Sequence, residues 1–251
     1  MWPVFVINLL DNTARMENSE AALDAQNVAF ERLDAVNGWA LSAAEIAAVY
    51  DEKKNRRRAR HNMVKPEIGC YLSHIAAWKK IADGTDPGGT VLEDDFQVSG
   101  DLKKILELLA TDAGQDWDIV KLFAFHPDRK VVSRRALAPG IDLVEPYRVP
   151  TCLIGYVIKK STAQRLVQNS VPFFRPVDED QKFFWESNLR VALVVPPPIQ
   201  VGDQQTNTGT IGSARRAAKK GARVLHLLRS IRYQAVYQIL LFWHRNIGVD
   251  R

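Results

Sequence analysis

The sequence lacks any run of about 18 apolar residues, so no part of it is expected to span a membrane. It also lacks a basic leader followed by an apolar core and a cleavage site. Met1 to Leu10 is apolar without those flanks and reads as a first strand, so a cytoplasmic location is expected. Cysteine is scarce. Cys70 and Cys152 stand far apart among apolar neighbours, which excludes a disulfide framework and a cysteine-knuckle metal site and fits buried, reduced thiols. Repeats and low-complexity tracts are missing too. With 46% hydrophobic and 25% charged residues, the 251-residue chain has the make-up of one large globular domain, or one domain plus an appendage.

The last absence is acid. From Gln204 to Val249 there are eight Lys/Arg and no Asp/Glu, whereas residues up to Asp203 hold twenty-five basic and twenty-eight acidic side chains. A mildly acidic body with a basic tail points to an anionic partner for the tail. Nucleic acid is a poor candidate, because no nucleic-acid fold signature accompanies the charge and the body is acidic. Arg215 to Trp243 mixes cations with Leu, Ile, Tyr, Phe and Trp at helical spacing. Such a segment either lies in an anionic membrane interface or packs on the core. A second basic cluster, Lys53 to Arg60, reads as a solvated loop or as a contact for phosphates.

What is present is a strand–helix–strand start. Trp2–Leu10 is β-rich, Asp11-Asn12-Thr13 offers a turn and a cap, Ala14–Asn27 is helical, and Val28–Leu33 is a second strand. That order implies a parallel sheet. Further helices are expected over Ser42–Tyr50, Pro66–Asp83, Leu102–Ala110, from a Ser161 cap through Asn169, and over Ala214–Arg245. Further strands are expected at Thr90–Leu92, Asp118–Phe125, Thr151–Ile158 and Val191–Val195.

Three features carry chemistry. Glu93-Asp94-Asp95 follows the carboxyl end of an apolar strand, where ligands bind in open α/β sheets. Alternation would put Glu93 and Asp95 on one side, about 7 Å apart, with room for a Mg²⁺ or Mn²⁺ and a diphosphate between them. An acidic turn is the plain alternative. Glu67 to His74, spelling EIGCYLSH, places Ser73 and His74 near the start of an apolar helix. Gly69 in that helix requires close approach of a backbone or ligand. Asp178-Glu179-Asp180 supplies either a general base or the acidic first turn of a helix. His126 follows the Asp118–Phe125 strand and is a further candidate for the cleft.

Together these segments resemble glycosyltransferase family 25, the bacterial lipooligosaccharide-type transferases to which collagen galactosyltransferase domains also belong. The matching stretches are Val4–Leu9 with Arg15, Phe30–Gly38, Glu67–His74, Val91–Asp95, Thr151–Leu166, Pro176–Asp178 and Pro196–Ile211. The resemblance implies an α/β, GT-A-like nucleotide-sugar-binding fold with a central, mostly parallel sheet. A catalytic domain over 1–212 would be followed by a basic amphipathic helical segment over 213–251. It implies an inverting hexosyltransferase, with UDP-galactose as donor and a lipooligosaccharide or other lipid-linked saccharide as acceptor. Mn²⁺ or Mg²⁺ would be held by Asp95 and Glu93. Asn8, Leu9, Arg15, Ser73, His74, Glu93 and Asp94 would line the donor side, and Asp178 and Asp180 would serve catalysis. Membrane contact through 213–245 would suit such an acceptor. A family member that binds nucleotide or saccharide without turnover is the remaining alternative.

Overall fold

A computed structural model of the chain describes residues 1–114, 116–127, 130–202, 210–218 and 223–247. The first strand, β1 (Val4–Asn8), is buried at all five positions because it has neighbours on both edges and helices on both faces. Its alternating side chains feed two cores. Phe5 and Ile7 face one cluster, and Val4 and Val6 the other.

From β1 the chain runs through α1 (Thr13–Asp24), β2 (Glu31–Asp34), a short 3-10 turn (Gly38–Ala40), α2 (Ala43–Val49), α3 (Glu52–Arg58) and α4 (Lys65–Asp83). Then come β3 (Gly88–Glu93), β4 (Phe96–Val98), α5 (Leu102–Ala110), β5 (Ile119–Lys121) and the hairpin β6 (Val131–Ala138) and β7 (Ile141–Pro146). After β8 (Gly155–Lys159) follow α6 (Lys160–Asn169), α7 (Val177–Lys182), β9 (Val191–Val195), β10 (Ile199–Val201), α8 (Thr210–Ala218) and α9 (Arg223–Asn246).

The eight-stranded sheet has the order β2-β1-β3-β8-β5-β9-β7-β6, and β4 pairs with β10 in a small ribbon. Six of the eight strands run in one direction; only β7 and β8 are reversed. The expected α/β architecture is therefore present. Strands β1, β3 and β5 end at Asn8, Glu93 and Lys121 on one edge of the sheet. The reversed β8 brings residues 150–154 to the same edge, with Leu92 opposite Gly155. That edge holds the candidate site.

Several boundaries differ from those expected. Lys53–Arg60 is largely helical, not a loop. Asp51 caps α3 by accepting from Lys54 N at 2.8 Å, Glu52 pairs with Arg56, and cations fill the last turn, where they oppose the helix dipole. Its buried Asn55 donates to the carbonyls of His61 and Phe174, which fastens the helix to the body. Helix α6 begins one residue before Ser161, which lies in its first turn and is not its cap. Strand β5 ends at Lys121, well short of Phe125. The β6–β7 hairpin was not expected at all.

The tail makes two helices, and α9 docks on the body. Tyr233, Tyr237 and Leu241, four residues apart, are buried in the same core cluster as Phe5, Trp78 and Val177. Arg229 donates to the backbone of Asn55 and Ala59, and Arg245 to the carbonyls of Pro146 and Tyr147. Leu241→Ala should therefore cost about 2–5 kcal/mol, read as a lowered urea midpoint. An unchanged midpoint would show that α9 contributes nothing to the cooperative unit.

Candidate active site

The acidic triplet is divided by the end of β3: Glu93 is the last strand residue, and Asp94 and Asp95 form the turn into β4, so the expected strand alternation does not run through all three. Asp94 turns toward the start of the chain. Its carboxylate accepts from Asn8 Nδ2 at 2.7 Å and pairs with Arg15 at 2.8 Å. This ties β3 to β1 and α1. Leu9 contributes to the same corner through its carbonyl, which accepts from Asn12 N. The amide oxygen of Asn8, Oδ1, is buried without a hydrogen-bond partner among the described residues, in a side chain only 1% exposed. A buried acceptor in that state costs stability and is suited to a donor from outside the chain.

Glu93 turns the other way. Its Oε1 lies 3.1 Å from His74 Nε2 and 3.9 Å from Cys70 Sγ. Behind His74, the Tyr156 hydroxyl sits 2.9 Å from Nδ1 and accepts from Trp78 Nε1 at 2.7 Å. Trp78 can only donate and the carboxylate can only accept. A neutral imidazole satisfies the line by donating from Nε2 to Glu93 and accepting at Nδ1 from Tyr156. Burial raises the Tyr156 pKa well above its ordinary value and keeps that proton in place.

Ser73 fastens the helix backbone: its hydroxyl accepts from Val36 N and donates to the Gly69 carbonyl, each at 2.8 Å. Gly69 is needed at that crossing. A Cβ there would fall 2.4 Å from the Val36 carbonyl oxygen and 2.6 Å from Gly38 N. The close approach expected for this glycine is thus made by a neighbouring backbone.

The third acidic segment arrives on α7. Asp178 accepts from Cys152 N at 3.2 Å and from Glu179 N at 2.9 Å. Asp180 points away from it, bonded to the Tyr71 hydroxyl at 2.6 Å and to Arg175 Nε at 2.7 Å. The two thiols report what gathers around them. Burial, reinforced by the negative charges of Glu93, Asp178, Glu67 and Asp95, raises the Cys70 pKa well above its ordinary value. Burial and Glu93 likewise push Cys152 up to about 12, with Asp95 a smaller contributor. By geometry Glu93 stands beside Cys70 and Asp178 on the Cys152 N–H, so these two flank the region between the thiols, while Asp94 and Asp180 serve neighbouring ion pairs. His126 is exposed in the loop beyond β5.

Lys121, which sequence reasoning did not single out, lies beneath this region. It is only 1% exposed, and its ammonium donates to the carbonyls of Pro150 and Cys152 at 2.5 and 2.7 Å. Cys152 has φ +84°, a left-handed conformation uncommon for a residue with a side chain, and its N–H meets Asp178. Lys121 therefore shapes the turn that holds Asp178. Burial lowers its pKa to about 8, with Cys152, Asp178 and Glu93 opposing the shift. The available signal was a lone lysine in an otherwise apolar strand.

A model of glycosyltransferase family 25 (LPS biosynthesis protein) matches residues 1–180. The chain belongs to glycosyltransferase family 25. Relatives include procollagen galactosyltransferase 1 of Danio rerio, 27% identical over 80% of this chain and 37% of its own length. Procollagen galactosyltransferase 2 of Homo sapiens is 31% identical over 70% of this chain and 29% of its length. The inactive glycosyltransferase 25 family member 3 of Homo sapiens is 28% identical over 70% and 30%. The chain thus spans about a third of the curated relatives it matches. Asn8, Arg15, Cys70, His74, Glu93, Asp94, Asp95 and Asp178 all fall inside the family match. Part of the expected Pro196–Ile211 segment, 203–209, lies outside the described residues.

The donor chemistry at the site suits a hard divalent cation. Glu93 and Asp178 flank the region with a single buried ammonium nearby, and oxygen ligands are what Mg²⁺ and Mn²⁺ prefer. Cys70, His74 and Glu93 also bring one ligating atom each within 4.8 Å of one another. The raised thiol pKa keeps sulfur there protonated, and His74 already donates to Glu93, so this trio is a hydrogen-bonded support for the carboxylate.

Gly69→Ala should destabilise the family-25 fold by about 1–3 kcal/mol despite alanine's better helix propensity, because two backbones would have to separate. A rise in melting temperature would refute that crossing. Lys121 has a folded pKa below its unfolded value, so the folded state binds fewer protons between about pH 8 and pH 10.5. Stability from this group accordingly rises with pH through that window. Wild type should gain on Lys121→Met when urea midpoints are compared at about pH 7.5 and pH 10. A constant difference would contradict the burial of its charge.

Proposed function

We propose that this chain is an inverting hexosyltransferase that moves galactose from UDP-galactose onto a lipooligosaccharide or other lipid-linked saccharide. The observation that carries the reading is the placing of two carboxylates at the carboxyl edge of the sheet, Glu93 beside His74 and Cys70 and Asp178 on the Cys152 N–H, with Asp94 withdrawn into an ion pair. Family membership supplies the reaction class.

Glu93 and Asp95 would hold Mn²⁺ or Mg²⁺. When bound, that ion supplies positive charge for the leaving diphosphate. His74, oriented by Tyr156, fixes Glu93 in place. Ser73 sets the path of α4 against residues 36–38. Asn8 offers its unpartnered Oδ1 to a donor group of the nucleotide, and Arg15 and Leu9 form the wall behind it. Asp178 is the better choice for the base, since Asp180 is neutralised by Arg175 and Tyr71 and pins α7. In the transfer, the acceptor hydroxyl loses its proton to Asp178. Its oxygen bonds to the anomeric carbon from the face opposite the diphosphate. The bond from that carbon to the phosphate oxygen breaks, and UDP leaves with the electron pair.

A second reading has one specific support: three matched relatives are named as inactive or probably inactive members of the family. It makes the chain a binder of nucleotide sugar without turnover. The two separate in one assay. Purified protein is given a panel of nucleotide sugars with Mn²⁺ and a saccharide acceptor, and release of free nucleotide and thermal protection are followed. Wild type should release UDP from UDP-galactose, and chelation should stop it. Asp95→Ala should lose both turnover and metal-dependent protection. Asp178→Asn should keep the protection while turnover falls about 100-fold or more, as expected for loss of a general base. Protection without turnover in wild type would favour the binding protein. Neither response to any nucleotide sugar would refute both.

A further inference from the structure

Helix α9 has its polarity reversed at the surface. Between Leu227 and Ile247 eleven positions are exposed, and nine of them are apolar; only Arg232 and Asn246 are polar. The exposed side chains include Leu228, Ile231, Ile239, Phe242 and Trp243, the last three 67%, 56% and 48% exposed. The opposite face is already committed to the core through Tyr233, Tyr237 and Leu241. A solvated surface helix has the opposite distribution. Contiguous exposed apolar surface rimmed by polar groups marks an interaction site.

The same helix borders a concentration of cations. On α3 and just after it, Lys53, Lys54, Arg56, Arg57, Arg58 and Arg60 are all exposed. Helix α9 is fastened alongside, since Arg232 donates to the Arg57 carbonyl and Arg60 Nε to Ser230 Oγ at 3.2 Å. Between the two helices lies a cleft of about 230 Å³, whose lining includes Arg57, Arg58, Arg175 and Arg232 with Phe183 and Tyr233. Arg58 and Arg175 share Glu186, and Arg175 also meets Asp180. Among the described residues neither Arg57 nor Arg232 pairs with a carboxylate. Two guanidinium groups without a carboxylate partner among the described residues, beside an exposed apolar helix face, suit an anion with a hydrocarbon tail.

We propose that the outer face of α9 and the arginine cleft between α3 and α9 form a docking surface for an anionic phospholipid bilayer. The phosphate of a headgroup enters the cleft, and Ile239, Phe242 and Trp243 enter the acyl boundary. Charge complementarity selects this occupant over a second copy of the chain, whose α3–α9 surface would bring the same cations together. Among the described residues no helix is long and apolar enough to cross a membrane, so the contact lies in the interface plane. The cleft is lined by Arg175 and Phe183, which flank α7, the helix that carries Asp178, so docking here would hold the candidate active site close to the lipid surface.

The test uses the full chain and needs neither donor nor acceptor, so it stands apart from the transferase assay. Sedimentation is measured with vesicles of phosphatidylcholine alone and with about 30% phosphatidylglycerol, at about 0.05 and 0.5 M NaCl. Partition should require the anionic lipid and fall with salt. Ile239→Ser with Phe242→Ser should lower it about tenfold, and so should Arg57→Gln with Arg232→Gln, with folding checked by circular dichroism. Brominated lipid should quench tryptophan fluorescence in wild type and much less in Trp243→Phe. Equal binding to neutral vesicles, undiminished quenching in Trp243→Phe, or release by inorganic phosphate at matched ionic strength would overturn the proposal. So would lipid-free self-association that either double variant abolishes, since the occupant would then be a second copy.

Discussion

Three adjacent carboxylates at the end of a buried strand can coexist only if each charge meets a different solution, and the architecture of this chain follows from that requirement. Like charges this close raise one another's free energy unless cations or donors intervene. The turn that follows Glu93 sends Asp94 back to Asn8 and Arg15, which locks β1, α1 and β3 into one corner. Glu93 goes forward to His74, whose ring is aligned by Tyr156 and Trp78 from β8 and α4. Asp95 follows in the turn into β4. The middle charge of the three is thus neutralised inside the fold.

The same principle is repeated on α7. Asp180 is neutralised by Arg175, itself sandwiched against Phe174 and Phe183 with guanidinium-to-ring distances of 4.5 and 3.9 Å. Asp178, two residues earlier, takes only backbone N–H groups. In each segment one carboxylate anchors the element and another faces the region between the thiols. An acidic cluster in sequence is therefore two populations in space, and composition alone does not separate them.

This explains which parts could be read in advance. The α/β class, the β1–α1–β2 start, α4 and α5 followed from hydrophobic period, because long amphipathic or fully buried segments announce themselves. Gly69 announced a close approach of a backbone or a ligand, and the backbone of Val36 and Gly38 turns out to make it. The division of labour among Asp94, Asp95, Asp178 and Asp180 was not legible, because it depends on Arg15 and Arg175 arriving from elsewhere. Lys121 escaped notice because its partners are carbonyls of a loop some thirty residues away. Helix α3 was misread as a loop because its five cations suggest solvation. Its order comes from Asp51 and from Asn55, buried against the Phe174 carbonyl. The β6–β7 hairpin was missed since β6, a half-exposed edge strand, carries little hydrophobic alternation.

The basic tail shows why two readings of one segment need not compete. Core packing and surface attachment looked like alternatives when the helix was only a list of residues, yet a helix has room for both. Tyr233, Tyr237 and Leu241 recur every fourth residue and consume one stripe. Arg229 and Arg245 reach back to backbone carbonyls at either end, so the cations there stabilise docking and are not spare charge. Arg215 on α8 likewise meets Glu67, which caps the start of α4 through Val64 N. The tail is thus connected to two elements that position the site, to α4 through Arg215 and to α7 through Tyr233 and Glu179. The outer face of α9 is thereby joined by side-chain contacts to the helices that carry Asp178 and Glu67–His74. Orientation of the site relative to a surface is then a property of the fold, with no hinge required.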